Sequence, residues 1–214
     1  MTVPDSSSCS DARSLAAPSG GLVCKWLRPR VLSLVFTITL ALPHPGLAQQ
    51  VRPTEQQVKA AYLFNFGKFV RWPVDRSVIP DTIDICVLGR DPFGSILDST
   101  VAGETIAGQP IKVRRPNRTQ DVTSCNILFV SSSEENQLGP ILKIAQQSSI
   151  LTVSDIPHFA EHGGVIGFVN DADRIRFEVN RDAAERSRLT LSSELLKVAS
   201  QVIAKSTPPL GSQP

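Results

Sequence analysis

Short apolar runs separated by helix-forming stretches constrain the fold of this chain more than any other feature. Three runs, Ile83 to Leu88, Asn126 to Val130 and Ile150 to Val153, are apolar almost without interruption, which is typical of strands buried on both faces of a sheet. Helical patterns lie between and around them. This alternation predicts an α/β domain of three layers, with a central, mostly parallel sheet, flanking helices and a C-terminal antiparallel hairpin.

The first predicted helix begins at a capping box formed by Thr54 and Gln57 and ends before Trp72-Pro73. Its apolar residues recur at spacings of three and four, which predicts that they form the buried face: Val58, Ala61, Tyr62, Phe66 and Phe69. Phe64 and Trp72 fall less well on that face. They are therefore candidates for an exposed aromatic patch that contacts a partner, the alternative being that all these rings belong to the core.

The predicted hairpin consists of two strands, Val165 to Asn170 and Arg174 to Val179, on either side of Asp171 to Asp173. We expect it to close one edge of the sheet. Asn180 and either Ser192 or Ser193 are expected to cap two final helices. The other predicted elements are a helix from Phe93 to about Val101 with Asp91 at its cap, a strand from Ile111 to Arg114 and a helix from Glu134 to Gln147.

The N-terminal region has the parts of a secretory signal. Three basic residues at positions 25, 28 and 30 precede an apolar run, Val31 to Leu42, and Gly46-Leu47-Ala48 supplies small residues for cleavage. Because about 20 residues are needed to span a bilayer, we expect export with cleavage near Ala48, the alternative being an uncleaved anchor. The predicted organisation is an extension with a cleaved signal at 1–48, one α/β domain at 49–206 and a disordered tail at 207–214.

Removal of residues 1–48 would leave the domain without net charge. The chain carries 22 basic and 20 acidic side chains, and the leader accounts for four of the former and two of the latter. A neutral domain without a basic block is poorly suited to phosphate backbones. Nucleic acid is therefore not expected among the partners, and after signal cleavage the domain is not expected to insert into the membrane.

Cys86 and Cys125 are the two cysteines that follow the predicted cleavage site. An even number of cysteines in an oxidising compartment predicts a disulfide, the alternative being two buried free thiols in apolar strands. Zinc is a poor alternative because neither CxxC nor a nearby histidine completes a set of four ligands.

Arg90 and Asp91 follow the first buried strand, at the carboxyl edge of the predicted sheet, where open α/β folds bind ligands. They are therefore candidate ligand-binding residues, although a plain connecting turn is the simpler interpretation. The surrounding residues contain neither GxGxxG nor a lysine-bearing phosphate loop, and the chain has no GxSxG elbow. We predict no catalytic residues and no cofactor.

Asp155, His158 and His162 place three potential metal ligands within eight residues. Pro157 and Gly163 show that the segment is a loop or a single helical turn. A metal-dependent hydrolase is therefore a weak hypothesis, and a solvated turn capped by Asp155 is preferred. No metal site is predicted.

Arg174, Arg176 and Glu178 alternate along the second strand of the hairpin and therefore share one face of the sheet. They form either a polar recognition surface or an ordinary solvated face with weak ion pairs.

Four segments together resemble the YfiR family and cover most of the domain. They are YLFNFGKFVRWP (62–73), ICVLGRDPFG (85–94), CNILFVSSSE (125–134) and the long stretch from ILTVSD to SSELLKVA (150–199). The resemblance implies a periplasmic α/β domain without catalytic activity, commonly a homodimer. Such a protein would bind and repress the periplasmic sensor region of an inner-membrane diguanylate cyclase and so lower cyclic di-GMP signalling. A periplasmic small-molecule-binding protein without a membrane partner is the alternative.

The resemblance also bears on individual residues. It places Cys86 and Cys125 at the family's disulfide positions, whereas the second cysteine pair of some members is missing after Cys125. The family's RFE(I/V)N element matches positions 176–180. This match favours Arg176 and Glu178 over their neighbours as contacts for a partner.

Overall fold

A mixed sheet of eight strands, with helices on both faces, runs through the part of the chain that the computed structural model describes, residues 52–73, 81–172 and 174–204. Two 3-10 helices span Thr119–Ser124 and Ser132–Gln137. In chain order the other elements are α1 (Glu55–Lys68), β1 (Val70–Arg71), β2 (Ile83–Leu88), α2 (Ser95–Val101), β3 (Thr105–Ile106), β4 (Gln109–Arg114), β5 (Ile127–Val130), α3 (Leu138–Gln147), β6 (Leu151–Ser154), β7 (Ile166–Asp171), β8 (Arg174–Asn180), α4 (Arg181–Arg186), β9 (Thr190–Leu191), α5 (Ser193–Val198) and β10 (Gln201–Ile203).

The strand order of the sheet is β10-β8-β7-β6-β5-β2-β4-β3. Strands β4, β2, β5, β6 and β7 are parallel, and β7 and β8 form the antiparallel hairpin. The predicted α/β architecture is therefore confirmed. The prediction that the hairpin closes an edge is wrong, because β10 pairs with β8 in parallel and forms that edge. Three residues are too few for a strand period to be recognised in the sequence.

The sheet separates two apolar clusters. The larger one packs α1, α2, α4 and α5 against one face, and Phe66 lies near its centre with its ring 4.9 Å from that of Phe177. The smaller cluster, on the opposite face, contains Ile141 of α3 and both cysteines. These layers place the disulfide on the face away from α1.

The capping box of α1 is confirmed: the Thr54 N–H donates to Gln57 Oε1 at 2.7 Å, and the Gln57 N–H donates to Thr54 Oγ1 at 3.3 Å. The predicted buried face is partly wrong. Phe64 is only 8% exposed, whereas Phe69 is 39% exposed. The helix ends at Lys68, so Phe69 does not continue its periodicity, and Phe64 lies on the same buried stripe as Ala60 and Leu63.

The turn after β2 also differs from the prediction. Helix α2 begins at Ser95, and Asp91 Oδ1 accepts a hydrogen bond from the Phe93 N–H at 2.7 Å, so Asp91 closes a turn instead of capping the helix. The predicted helix from Glu134 to Gln147 is a 3-10 helix followed by α3. Asn180 and Ser192 cap α4 and α5, as predicted.

Several predictions concern residues outside the described ranges: the signal, its cleavage near Ala48, the turn residue Asp173 and the tail at 207–214. Within the described ranges, no helix has the length and apolar character needed to cross a bilayer.

Candidate functional site

The end of α1 and strand β1 present an exposed aromatic ring between two basic side chains. Phe69 is the most exposed of the described phenylalanine, tyrosine and tryptophan residues, and Lys68 and Arg71 lie on either side of it in the chain. We call Lys68, Phe69, Arg71 and Trp72 the α1-end surface. Strand β1 pairs with β9, and the Ser192 N–H donates to the Phe69 carbonyl oxygen at 2.9 Å, which holds the backbone of this surface in place.

Two cavities adjoin the α1-end surface, and Lys68 and Arg71 line both. The first, of about 450 Å³, lies toward β9 and includes Phe69 and Glu194 in its lining. The second, of about 520 Å³, lies toward the β3–β4 hairpin and includes Trp72. Exposed aromatic and cationic groups beside such cavities suit recognition of a partner that brings apolar and negatively charged groups.

Phe64 contributes to this surface from beneath. The Lys68 ammonium group lies 3.8 Å from the centroid of the Phe64 ring, within range of a cation–π interaction. Phe64 is therefore not part of an exposed patch. Trp72 is half-buried and packs against the larger apolar cluster.

The polar stripe of β8 has the predicted arrangement. Arg174 and Arg176 are exposed and Glu178 is half-buried, while Phe177 and Val179 point into the larger cluster. Arg176 Nε lies 3.0 Å from Asp171 Oδ2 across the hairpin. Both side chains of that pair are about half exposed, so the ion pair adds little to stability.

Arg90 and Asp91 lie at the carboxyl end of β2, as predicted, but the Asp91 carboxylate is already engaged. Its Oδ2 accepts from Arg115 Nε at 2.7 Å, and Arg115 also donates to Asp98 Oδ2 at 2.6 Å. These hydrogen bonds raise the pKa of Arg115, and the bond from Arg115 lowers the pKa of Asp98. Asp91 thus belongs to a structural network, and the sequence analysis missed Arg115, which follows β4 without any motif.

A polar cavity of about 370 Å³ lies next to this network. Gly89, Asn117, Arg118, Glu134 and Gln137 are among its lining residues, whereas Arg90 and Asp91 are not. The carboxyl edge of the sheet therefore has a crevice, but it is lined by other residues than those predicted.

The disulfide joins Cys86 in β2 to Cys125 just before β5, with 39 residues of separation and a Cα–Cα distance of 5.9 Å. It ties the 3-10 helix at Thr119–Ser124 to the sheet. Both cysteines are 0% exposed. A reductant in solution can therefore reach the bond only when this region opens.

Asp155, His158 and His162 do not converge on one point. The Asp155 carboxylate accepts a hydrogen bond from Lys59 Nζ at 2.8 Å, His158 Nδ1 lies 3.3 Å from Glu161 Oε2, and the two imidazole rings are 6.4 Å apart. Asp155 is thus committed to α1. The sequence analysis overlooked Lys59, although a lysine four residues before Leu63 on an apolar face was a visible signal.

The described residues define a disulfide-bonded, three-layer α/β domain whose exposed aromatic and charged surfaces suit recognition of another molecule. A family model described as YfiR/HmsC-like matches residues 56–200, and the chain belongs to that family. Its members are periplasmic regulators of diguanylate cyclase signalling, regulatory rather than catalytic, and the resemblance found in the sequence is thereby confirmed. No curated protein matches the chain.

Solved structures resemble parts of the fold only. The ABC domain in complex with L-Trp from Streptococcus pneumonia shares 15% identity with a TM-score of 0.46, over 67% of this chain and 60% of that one. A conserved domain protein from Vibrio cholerae O1 biovar El Tor shares 13% identity with a TM-score of 0.44, over 56% of this chain and 54% of that one. The ligand-free, open structure of a substrate binding protein with adhesive properties from Clostridium difficile shares 13% identity with a TM-score of 0.41, over 58% of this chain and 55% of that one. The chain spans little more than half the length of these proteins. We draw no conclusion about function from these similarities.

Proposed function

We propose that this protein is a periplasmic repressor that binds the periplasmic sensor region of an inner-membrane diguanylate cyclase and thereby lowers cyclic di-GMP production. Membership of the YfiR/HmsC-like family over residues 56–200 carries the proposal. The energy for repression would come from burial of an interface, since the cyclase is held in an inactive conformation only while the repressor is bound.

The α1-end surface and the polar stripe of β8 are the two surfaces proposed to contact the cyclase. The first offers Phe69 and Trp72 as apolar contacts, and the second offers Arg174, Arg176 and Glu178 for polar contacts. An aromatic anchor with a polar rim is the usual composition of an energetically important interface region.

The Cys86–Cys125 disulfide is proposed to keep the domain in its repressing conformation. Because the bond fastens the segment before β5 to β2, its loss would loosen the middle of the sheet and release the cyclase. Its burial supports a structural role under resting conditions, with reduction following local opening.

Co-purification tests the proposal. The tagged domain (residues 49–214) would be used to recover detergent-solubilised membrane proteins with and without reductant. We expect a diguanylate cyclase with a periplasmic sensor region to be recovered, and to be lost after complete reduction. Recovery of no membrane protein under either condition would contradict the repressor function.

A paired set of variants tests the polar stripe. Arg176→Ala removes a half-exposed ion pair at little cost in stability, and Lys112→Ala removes an exposed cation from β4 as the control. We expect the first variant to recover less cyclase than the second. Equal recovery would remove the stripe from the interface. The homodimer is tested separately by the mass of the purified domain in light scattering.

The second candidate function is a periplasmic small-molecule-binding protein without a membrane partner. The polar crevice of about 370 Å³ at the carboxyl edge of the sheet favours it, since α/β folds bind ligands at this edge. Saturable binding of a periplasmic metabolite, abolished by Gln137→Ala and unaffected by Phe69→Ala, would support this function over the first.

A further inference from the structure

The cavity between the end of α1 and the β3–β4 hairpin lies at the amino edge of the sheet, opposite the crevice near Arg90. Val70, Trp72, Ile83 and Ile106 give it largely apolar walls. Ile83 begins β2, and Ile106 belongs to the hairpin. Its volume of about 520 Å³ falls within the range of about 300–1,000 Å³ that small-molecule sites occupy.

Trp72 provides an unsatisfied donor at this cavity. Its indole Nε1 is enclosed and has no hydrogen-bond partner among the described residues, although buried donors are nearly always paired. The side chain as a whole is only half-buried. Trp72 lines the cavity, so a ligand could take up this donor once the ring rotates to bring the N–H to the cavity.

The charges around the cavity indicate which acceptor would bind. Lys68 and Arg71 are exposed and line it, and none of its described lining residues carries a carboxylate. Two cations and one N–H donor favour binding of a negatively charged oxygen. The apolar walls favour a ligand whose remaining part is hydrophobic.

We infer that this cavity binds a small organic anion, specifically a monocarboxylate with an aromatic or aliphatic body. The carboxylate accepts a hydrogen bond from Trp72 Nε1 and is attracted by Lys68 and Arg71. The apolar body packs against Val70 and Ile106. The inference goes beyond the proposed function because it assigns a ligand to the protein, and it holds or fails without the cyclase.

The NMR resonance of the Trp72 indole N–H can report binding at this cavity directly. The chain has two tryptophans, and the other, Trp26, lies in the leader that we expect to be removed. The protein is expressed with its own leader in nitrogen-15 medium and purified from the periplasm. The indole resonance that persists in a Trp26→Phe variant is assigned to Trp72. Phenylacetate is then titrated, with phenylacetamide as a neutral probe of the same shape.

We expect the Trp72 indole resonance to move saturably with phenylacetate at a millimolar Kd, as befits so small a ligand. Phenylacetamide should bind about tenfold more weakly because it lacks the charge. Arg71→Gln should weaken phenylacetate binding several-fold, while Lys112→Gln, an exposed cation on β4, should leave it unchanged. The inference is overturned by the absence of a saturable shift, by equal affinity for the two probes, or by an equal effect of the two variants.

Discussion

Lys59 Nζ lies 2.8 Å from Asp155 Oδ2, which joins the first half of α1 to the segment that follows β6. The lysine also pairs with Glu55, one helical turn earlier. Burial lowers the pKa of Lys59, but the hydrogen bonds with Asp155 and Glu55 outweigh burial and raise it above 10.5. Since the folded-state pKa is raised, this contribution to stability is present below pH 10.5 and is lost as the pH rises through the folded-state value.

Replacement of Lys59 by Met should destabilise the domain, because it leaves the partly buried Asp155 carboxylate without its cation. We expect a loss of about 2 kcal/mol in the free energy of unfolding, measured by urea denaturation. Lys143→Met, an exposed position in α3, is the matched control and should change little. A Lys59 variant as stable as the control would show that the pair contributes nothing.

Replacement of both Cys86 and Cys125 by Ser should lower the stability by about 4 kcal/mol in the chain-entropy estimate for a loop of this length. Urea denaturation of the variant and of the oxidised domain measures the difference. If the variant retains both the stability of the oxidised domain and its capacity to repress the cyclase, the proposed role of the bond is wrong.

Phe69→Ala should weaken binding of the cyclase sensor region by at least about tenfold, because an exposed aromatic anchor contributes about 1.4 kcal/mol or more to an interface. Val198→Ala is a suitable control, since Val198 is an even more exposed apolar residue that lines neither cavity beside the α1-end surface. Both variants should keep the unfolding midpoint of the parent domain. Binding measured by biolayer interferometry would exclude Phe69 from the interface if both variants bound equally well.

The Asp98–Arg115 pair should contribute to the pH dependence of stability. Arg115 lowers the pKa of Asp98 below 3.8, so the contribution is present above that pH and is lost as the pH falls through the folded-state value. Asp98→Asn should therefore reduce the melting temperature at neutral pH, and the difference from the parent should narrow below a pH of about 4. Thermal melts of the variant and the parent between neutral pH and acid pH test this prediction. A difference in melting temperature that stays constant with pH would mean that the ion pair does not cause the loss of stability.

Much of the architecture was predictable because the signals were local. Continuous apolar runs located β2, β5 and β6 to within one or two residues, and capping residues located the starts of α1, α4 and α5. The predicted start of α2 was early, because Asp91 and Pro92 form a turn whose partners, Phe93 and Arg115, are set by the fold.

The candidate surfaces were less predictable. The alternation of polar and apolar residues along β8 correctly placed Arg176 on the exposed face and Phe177 on the buried face, since side chains of a strand point to opposite faces in turn. Helical periodicity placed Phe69 on the buried face because the helix was predicted to continue to Arg71, whereas α1 ends at Lys68. The cavities beside Lys68 and Arg71 depend on β9 and on the β3–β4 hairpin, which are distant in the chain.

The sequence by itself determined the succession of the longer strands and helices, the caps of α1, α4 and α5, and the family, because each depends on residues close together in the chain or on their order. Only the tertiary structure decided that β10 forms an edge, that Phe64 is covered while Phe69 is exposed, that Lys59 binds Asp155 and that Trp72 borders a cavity. These features depend on contacts between segments far apart in the chain, whose free energies follow from packing and desolvation and have no local pattern.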